Sequence, residues 1–173
     1  MKILNIGWGG IHMTAEPGLE EITVDFVEPA DIVCDAKKLT IEDEFADGIY
    51  ASHILEHFYS HEVVPTLKEW LRVMKPGGKA IILTPDLIDN MKMALTFGLE
   101  CKSIPTAGVG NITPLDVIYG FGKEIETGKE GMAHKTGFDV ARLQRVMEEA
   151  GFREVTVLKT EGANAALAGI GFK

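Results

Sequence analysis

The sequence predicts an α/β protein with three layers around a mostly parallel sheet of seven strands, one of them antiparallel, and a first crossover helix that is reduced or missing. Three observations predict it. Strand-like and helix-like patterns alternate along the chain, as they do where a sheet is built from β-α-β crossovers. The segment Leu71–Pro85 passes from helix to strand through a defined break. Pro76 cannot continue a helix, Gly77-Gly78 turn the chain, and Ile81, Ile82 and Leu83 suit a strand buried on both faces. Near the carboxy terminus, two strand-like segments are separated only by Glu161–Asn164, which suits an antiparallel hairpin and is too short for a crossover.

The strands are expected at Ile3–Ile6, Glu21–Phe26, Asp31–Cys34, Asp47–Ala51, Lys79–Thr84, Glu154–Lys159 and Ala165–Phe172. In the second, Ile22, Val24 and Phe26 alternate with polar residues. A helix is expected from Glu62 to Met74, where Val63, Val64, Leu67, Trp70, Leu71 and Met74 share one face. Ser60 is its candidate cap, and Pro65 requires that the helix begin nearby. A second helix runs from Val140 to Ala150, with Asp139 as N-cap, Phe138 and Leu143 placed as a staple, and Gly151 at its end. The stretch between the first two strands includes Pro17 and Gly18 and is too short for a full crossover helix. Residues 87–137 are rich in Gly, Pro and Thr and interrupt the alternation. Met91–Leu99 reads as a short helix there, and the rest as ordered loop or lid. No repeat or linker divides residues 1–173, so one domain is expected, with 87–137 as an insertion over its acceptor side.

Composition narrows the classes. Hydrophobic residues are 46% and charged residues 25%, the balance of a soluble globular chain. No apolar run spans a membrane, and the amino terminus enters a strand at once, so no signal peptide is expected. Cys34 and Cys101 are the only cysteines and form no C-x-x-C, which suggests a reducing compartment and a cytoplasmic protein. A net charge of -9 argues against a nucleic-acid surface.

The chemistry-bearing residues lie at strand ends. Gly7-Trp8-Gly9-Gly10 follows the first strand, and glycine there lets the backbone approach a ligand. Asp25 closes the second strand and is either a carboxylate for the two hydroxyls of a ribose or a solvated strand-end acid. Asp35-Ala36 follows the third strand. Asp35 either accepts from an adenine amino group or caps a short helix from Ala36 to Asp43.

These motifs, with Ile49-Tyr-Ala-Ser-His-Ile-Leu-Glu-His57 and Met74-Lys-Pro-Gly-Gly78, resemble in kind and order those of the class I methyltransferases that use S-adenosylmethionine. The resemblance covers roughly residues 3 to 86 and is similar to the small bacterial methyltransferase-domain proteins of the type-11-like group; His134-Lys-Thr-Gly-Phe138 extends it. It implies a Rossmann-like fold and S-adenosylmethionine as cofactor. It also implies Gly7, Trp8 and Gly9 at the methionine end, Asp25 at the ribose, Phe26 with Asp35 and Ala36 at the adenine, and Ser52 and His53 beside the sulfonium. Asn5 stands where the family usually has an acid, and Trp8 where it has a small residue or Cys.

A rival motif occupies the same loop. His53-Ile-Leu-Glu56-His57 matches the H-x-x-E-H of zinc peptidases, and on a helix its histidines would share a face. A third protein ligand is needed. Glu69 and Glu149 stand in no motif that supplies one, so no metal is expected. For methyl transfer to a hydroxyl, a base must take the acceptor's proton, and His134 and then His57 are the candidates because imidazole titrates near neutrality. The expected activity is methyl transfer to a small-molecule or glycan acceptor. A non-catalytic cofactor-binding or partner domain is the alternative. A nicotinamide oxidoreductase is disfavoured because G-x-G-x-x-G is absent.

Overall fold

A computed structural model describes residues 1–13, 17–101, 112–160 and 166–173. The strands are β1 (Lys2–Ile6), β2 (Glu20–Asp25), β3 (Ile32–Val33), β4 (Ala46–Ser52), β5 (Met74–Pro85), β6 (Arg153–Lys159) and β7 (Ala166–Phe172). They form one seven-stranded sheet in the order β3-β2-β1-β4-β5-β7-β6. β1, β2, β3, β4 and β5 pair in parallel, and β7 runs antiparallel to both β5 and β6. The expected fold class holds, including the single antiparallel strand. The connection Glu161–Asn164 and Ala165 lie outside the described residues.

Among the described residues no helix joins β1 to β2, as the short spacing requires. None stands between β2 and β4 either, so Asp35 does not cap a helix over Ala36–Asp43. Its Oδ1 accepts from the Lys37 N–H at 2.9 Å and heads a turn instead. β2 stops at Asp25, and Phe26 lies outside it and exposed. β5 begins at Met74, before the Pro76 break, because Met74 pairs with Ala46 across a register shift.

The helix after β4, α1 (Val63–Val73), buries Val63, Leu67, Trp70, Leu71 and Val73. Ser60 does not cap it: no side chain does, and the Ser60 hydroxyl accepts from Arg142. The helix before β6, α5 (Val140–Ala150), starts as expected, with Asp139 accepting from the Arg142 N–H at 2.7 Å, and ends at Gly151 in the left-handed region. α1 and α5 pack together, and α5 also lies on β6 and β7. Trp70 is fully buried and donates through Nε1 to the Ala36 carbonyl at 2.8 Å.

Two β7 glycines let α5 come this close. A Cβ on Gly169 would stand 2.6 Å from the Met147 sulfur and 3.1 Å from Leu143, and one on Gly171 would press on Phe152. The other face is covered less. Tyr50, Ile81 and Ile170 pair in register across β4, β5 and β7 and are only half-buried.

Residues 87–137 hold more helix than expected. α2 (Leu87–Phe97) begins before Met91, since Asp86 caps it by accepting from the Asp89 N–H. α3 (Pro114–Tyr119) opens with a capping box between Thr113 and Asp116 and with proline in its first turn. α4 (Gly122–Glu126) and a 3-10 turn at Glu130–Met132 follow. The limbs of this segment meet at its root, where the Leu87 N–H donates to the Phe138 carbonyl at 2.9 Å.

The α5 contact gives a stability test. Gly169→Val should cost about 1–3 kcal/mol, the range for overpacking a filled core, in urea unfolding followed by circular dichroism. Replacing exposed Leu158, on the neighbouring edge strand, by Val should change stability little.

Candidate active site

The carboxyl ends of β1, β2 and β4 lie side by side at one end of the sheet, where parallel sheets place their ligand-binding loops. The loop after β1 turns through Gly7, Gly9 and Gly10, all at positive φ. Gly7 has no room for a side chain: a Cβ would lie 2.5 Å from Ile54 Cδ1, so the β4 loop abuts the glycine loop directly. Around Gly9 and Gly10 a Cβ would meet no atom closer than 3.8 Å, which leaves their outer side open.

Among the described residues no helix braces this loop, and β2 does so instead. The Gly7 N–H donates to the Val24 carbonyl at 2.8 Å, and the Gly9 N–H to Asp25 Oδ2 at 3.0 Å. Glu21 holds the far end, accepting from Asn5 Nδ2 at 2.7 Å and the Met13 N–H at 2.9 Å. Its other oxygen lies 2.9 Å from His12 Nδ1. Burial pushes the Glu21 carboxyl up, but the Met13 N–H, His12 and Asn5 outweigh it and hold it below the ordinary value. Asn5 is buried and also donates to the Ile11 carbonyl at 2.9 Å. At the position where an acid was expected, the side chain thus ties the loop down. The ring of Trp8 leans on His12 with centroids 5.3 Å apart, and its Nε1 is buried without an acceptor among the described residues.

Asp25 is 8% exposed. Besides the Gly9 bond it accepts from the Phe26 N–H at 2.7 Å, so two of its roughly four acceptor sites remain. Phe26 beside it is 73% exposed, a free aromatic face at a strand end. Asp35 is exposed with Lys37 near it, and Ala36 is half-buried with its carbonyl on Trp70. Ser52 ends β4, half-buried and paired with Leu83. The structure thus brings Gly7, Trp8, Gly9, Asp25, Phe26, Ser52 and His53 to one end of the sheet, with Asp35 and Ala36 just beyond β3.

The histidine motif does not lie on one helix. His53 sits at φ 55°, and only Leu55–His57 form a 3-10 turn. His53 and His57 therefore point to different partners. His53 Nδ1 lies 3.3 Å from Glu56 Oε1, an ion-pair distance at poor hydrogen-bond angles. Glu56 is 1% exposed, and neither carboxylate oxygen has a donor among the described residues. Burial pulls the His53 imidazole down, but the Glu56 carboxylate outweighs it and holds its pKa above the ordinary value. His57 is held below its ordinary value, first by burial.

His134 is carried to His57 from far along the chain. The ring centroids stand 4.9 Å apart at 74°. His134 Nδ1 lies 2.7 Å from the Val117 carbonyl, and His57 Nδ1 3.3 Å from the Ala133 carbonyl. A carbonyl only accepts, so each Nδ1 carries the proton and each Nε2 keeps a lone pair. Tyr119 is exposed, and its carbonyl accepts from the His134 N–H. Glu69 and Glu149 serve ion pairs with Arg72 and Arg145. Sequence reasoning missed Glu21, whose signal was an acid inside a strand. It named Glu56 only as a motif letter, although a glutamate between Leu55 and the buried Phe58 was a cue to burial.

The fold is the one found in class I S-adenosylmethionine-dependent methyltransferases. Residues 13–82 match the model of the family described as methyltransferase domain. That match starts beyond the glycine loop and takes in Asp25, Asp35 and the histidine motif. Crystal structures of methyltransferases share this fold. A methyltransferase from Archaeoglobus fulgidus aligns over 99% of this chain and 86% of its own at TM-score 0.63 and 18% identity. One from Methanosarcina mazei aligns over 99% and 92% at TM-score 0.65 and 18% identity. The 1,6-didemethyltoxoflavin-N1-methyltransferase of Burkholderia thailandensis, with its acceptor and S-adenosylhomocysteine bound, aligns over 99% and 70% at TM-score 0.65 and 16% identity. No curated protein matches the sequence. Among the described residues no helix is long and apolar enough to cross a membrane.

The Glu21 brace has a pH signature. A depressed carboxylate contributes stability above its unfolded pKa and loses it as pH falls through the lower folded value. Amide exchange of Ile11 and Met13 should therefore accelerate relative to the core as pH drops below the ordinary glutamate value of 4.5. Glu21→Gln should remove that pH dependence; a loop equally protected in both proteins would show that Glu21 is no brace.

Proposed function

We propose that this protein transfers a methyl group from S-adenosylmethionine to a small-molecule or glycan acceptor. The observation that carries the reading is Asp25, a nearly buried carboxylate with acceptor capacity left, set between the open glycine loop and the exposed ring of Phe26. A ribose needs such a carboxylate, and an adenine needs such a face. Bound S-adenosylmethionine supplies an electrophilic methyl group on a sulfonium.

The chain's own residues position and protect. Gly7 and Gly9 let the backbone close on the methionine end, with Trp8 narrowing the entrance. Asp25 accepts from the ribose hydroxyls, Phe26 lies on the adenine, and Asp35 with Ala36 borders its amino edge. Ser52 and His53 flank the sulfonium. The described parts of the segment 87–137 border the acceptor side and exclude water. His134, with His57 beside it, receives the acceptor's proton on Nε2, since its Nδ1 is committed to a carbonyl.

Two variants test the reading. Asp25→Ala should weaken S-adenosylhomocysteine binding by about 1–3 kcal/mol in calorimetry, the scale for hydrogen bonds to a charged acceptor. Unchanged affinity removes the ribose role. His134→Ala should lower kcat by roughly a hundredfold, the lower range for general-base loss, while cofactor affinity stays near wild type. A variant that loses stability but keeps kcat would make His134 a tether for the insertion.

A further inference from the structure

The buried carboxylate of Glu56 is a group that the proposed methyl transfer leaves unused. It is 1% exposed and lacks a hydrogen-bond donor on either oxygen among the described residues. A buried charge needs a counterion or coordinating partner. His53 is one neighbour, at 3.3 Å from Oε1 only. On the other side stand His57 and His134. One ligand atom from each of Glu56, His57 and His134 lies within 4.8 Å of the other two.

Three features fit an ion there. First, both imidazoles are oriented by backbone carbonyls, His134 through Nδ1 on Val117 and His57 on Ala133 and His53, as the outer partners of metal-bound histidines orient them. Second, a small cavity of about 10 Å³, lined by Glu56 and His134 though not by His57, adjoins the cluster and is close to the space that one water molecule needs. Third, two nitrogens and one carboxylate suit zinc, whereas magnesium and calcium call for oxygen. Zinc holds such donors at about 2.0–2.1 Å, so the three side chains must draw inward. Rotation about side-chain bonds can supply this.

We infer that Glu56, His57 and His134 form a binding site for a zinc-class divalent ion, with the fourth position left to water or the acceptor. The ion takes both Nε2 lone pairs, so zinc should suppress turnover; this consequence, unlike the binding itself, rests on the methyl-transfer reading.

The test is calorimetric titration of the chelator-treated full chain with Zn²⁺, and with Co²⁺ followed by visible absorption. One equivalent should bind, with the intense absorption of a four-coordinate site. His57→Ala and His134→Ala should each weaken binding by roughly tenfold or more, with folding checked by circular dichroism. Glu56→Gln should do the same. If that variant fails to fold, the two histidine variants and the cobalt spectrum decide. No saturable binding overturns the inference, as does binding that survives in the His57→Ala/His134→Ala double variant and is lost when exposed His12 or His61 is replaced. Calorimetry with S-adenosylhomocysteine, run in parallel without metal, reports on the cofactor reading independently.

Discussion

The backbone carbonyl of Glu56 is the contact on which the placement of residues 134–139 depends. It accepts two N–H groups, from Lys135 at 2.8 Å and Thr136 at 3.2 Å. Those bonds seat the returning limb of the long insertion on the loop that follows β4. The departing limb is tied to the same place through Leu87 and Phe138. Closing a long segment costs only slightly more than closing a short one, so a large insertion is tolerable once its root is pinned. Everything downstream follows in register. His134 arrives against His57, Phe138 enters the core, and Asp139 is set to start α5.

The glycine loop is organised by a different device. Where a crossover helix would brace the glycine loop, two carboxylates of β2 hold it. Glu21 and Asp25 are four residues apart on one strand, so their side chains leave the same face. Asp25 takes the Gly9 N–H and Glu21 secures Asn5 and Met13. One consequence is chemical. The Gly7 and Gly9 N–H groups are already spent on β2, so they are not the free donors that a helix N-terminus would present to an anion. The loop offers a ligand shape and closeness, and Asp25 offers the charge.

Most of the fold was legible in the sequence because local rules decided it. Pro76 with Gly77-Gly78 marked the passage from α1 to β5, although β5 already begins at Met74, Asp139 and Gly151 bounded α5, and the scant spacing between β1 and β2 agrees with the lack of a helix there among the described residues. The failures have local causes too. The capping box at Thr113 and Asp116 and the Asp86 cap were written in the chain, yet the surrounding Gly, Pro and Thr read as loop. Ser60 lost its expected role because Arg142, from a distant helix, uses its hydroxyl. The strand-end candidates could be grouped from the sequence because a parallel sheet brings successive carboxyl ends together. The approach of His134 to Glu56 and His57 was not, since it needs a pairing across the whole insertion that no spacing rule encodes.

The state of the two imidazoles is set by elements remote from them. His134 Nδ1 bonds the Val117 carbonyl, which lies in the last turn of α3 and has no partner within that short helix. Position and tautomer of His134 therefore depend on where α3 ends. α3 is only six residues long, too short to persist by propensity alone. Asp116 fixes it at both ends, through the capping box with Thr113 and through the Gly122 N–H at 3.1 Å beyond Gly120. A capping signal in the sequence thus becomes a helix end, the helix end supplies an orphan carbonyl, and the carbonyl fixes a proton on one nitrogen of His134. Whatever binds beside Glu56, a proton or an ion, meets an Nε2 lone pair that Asp116 has already aimed.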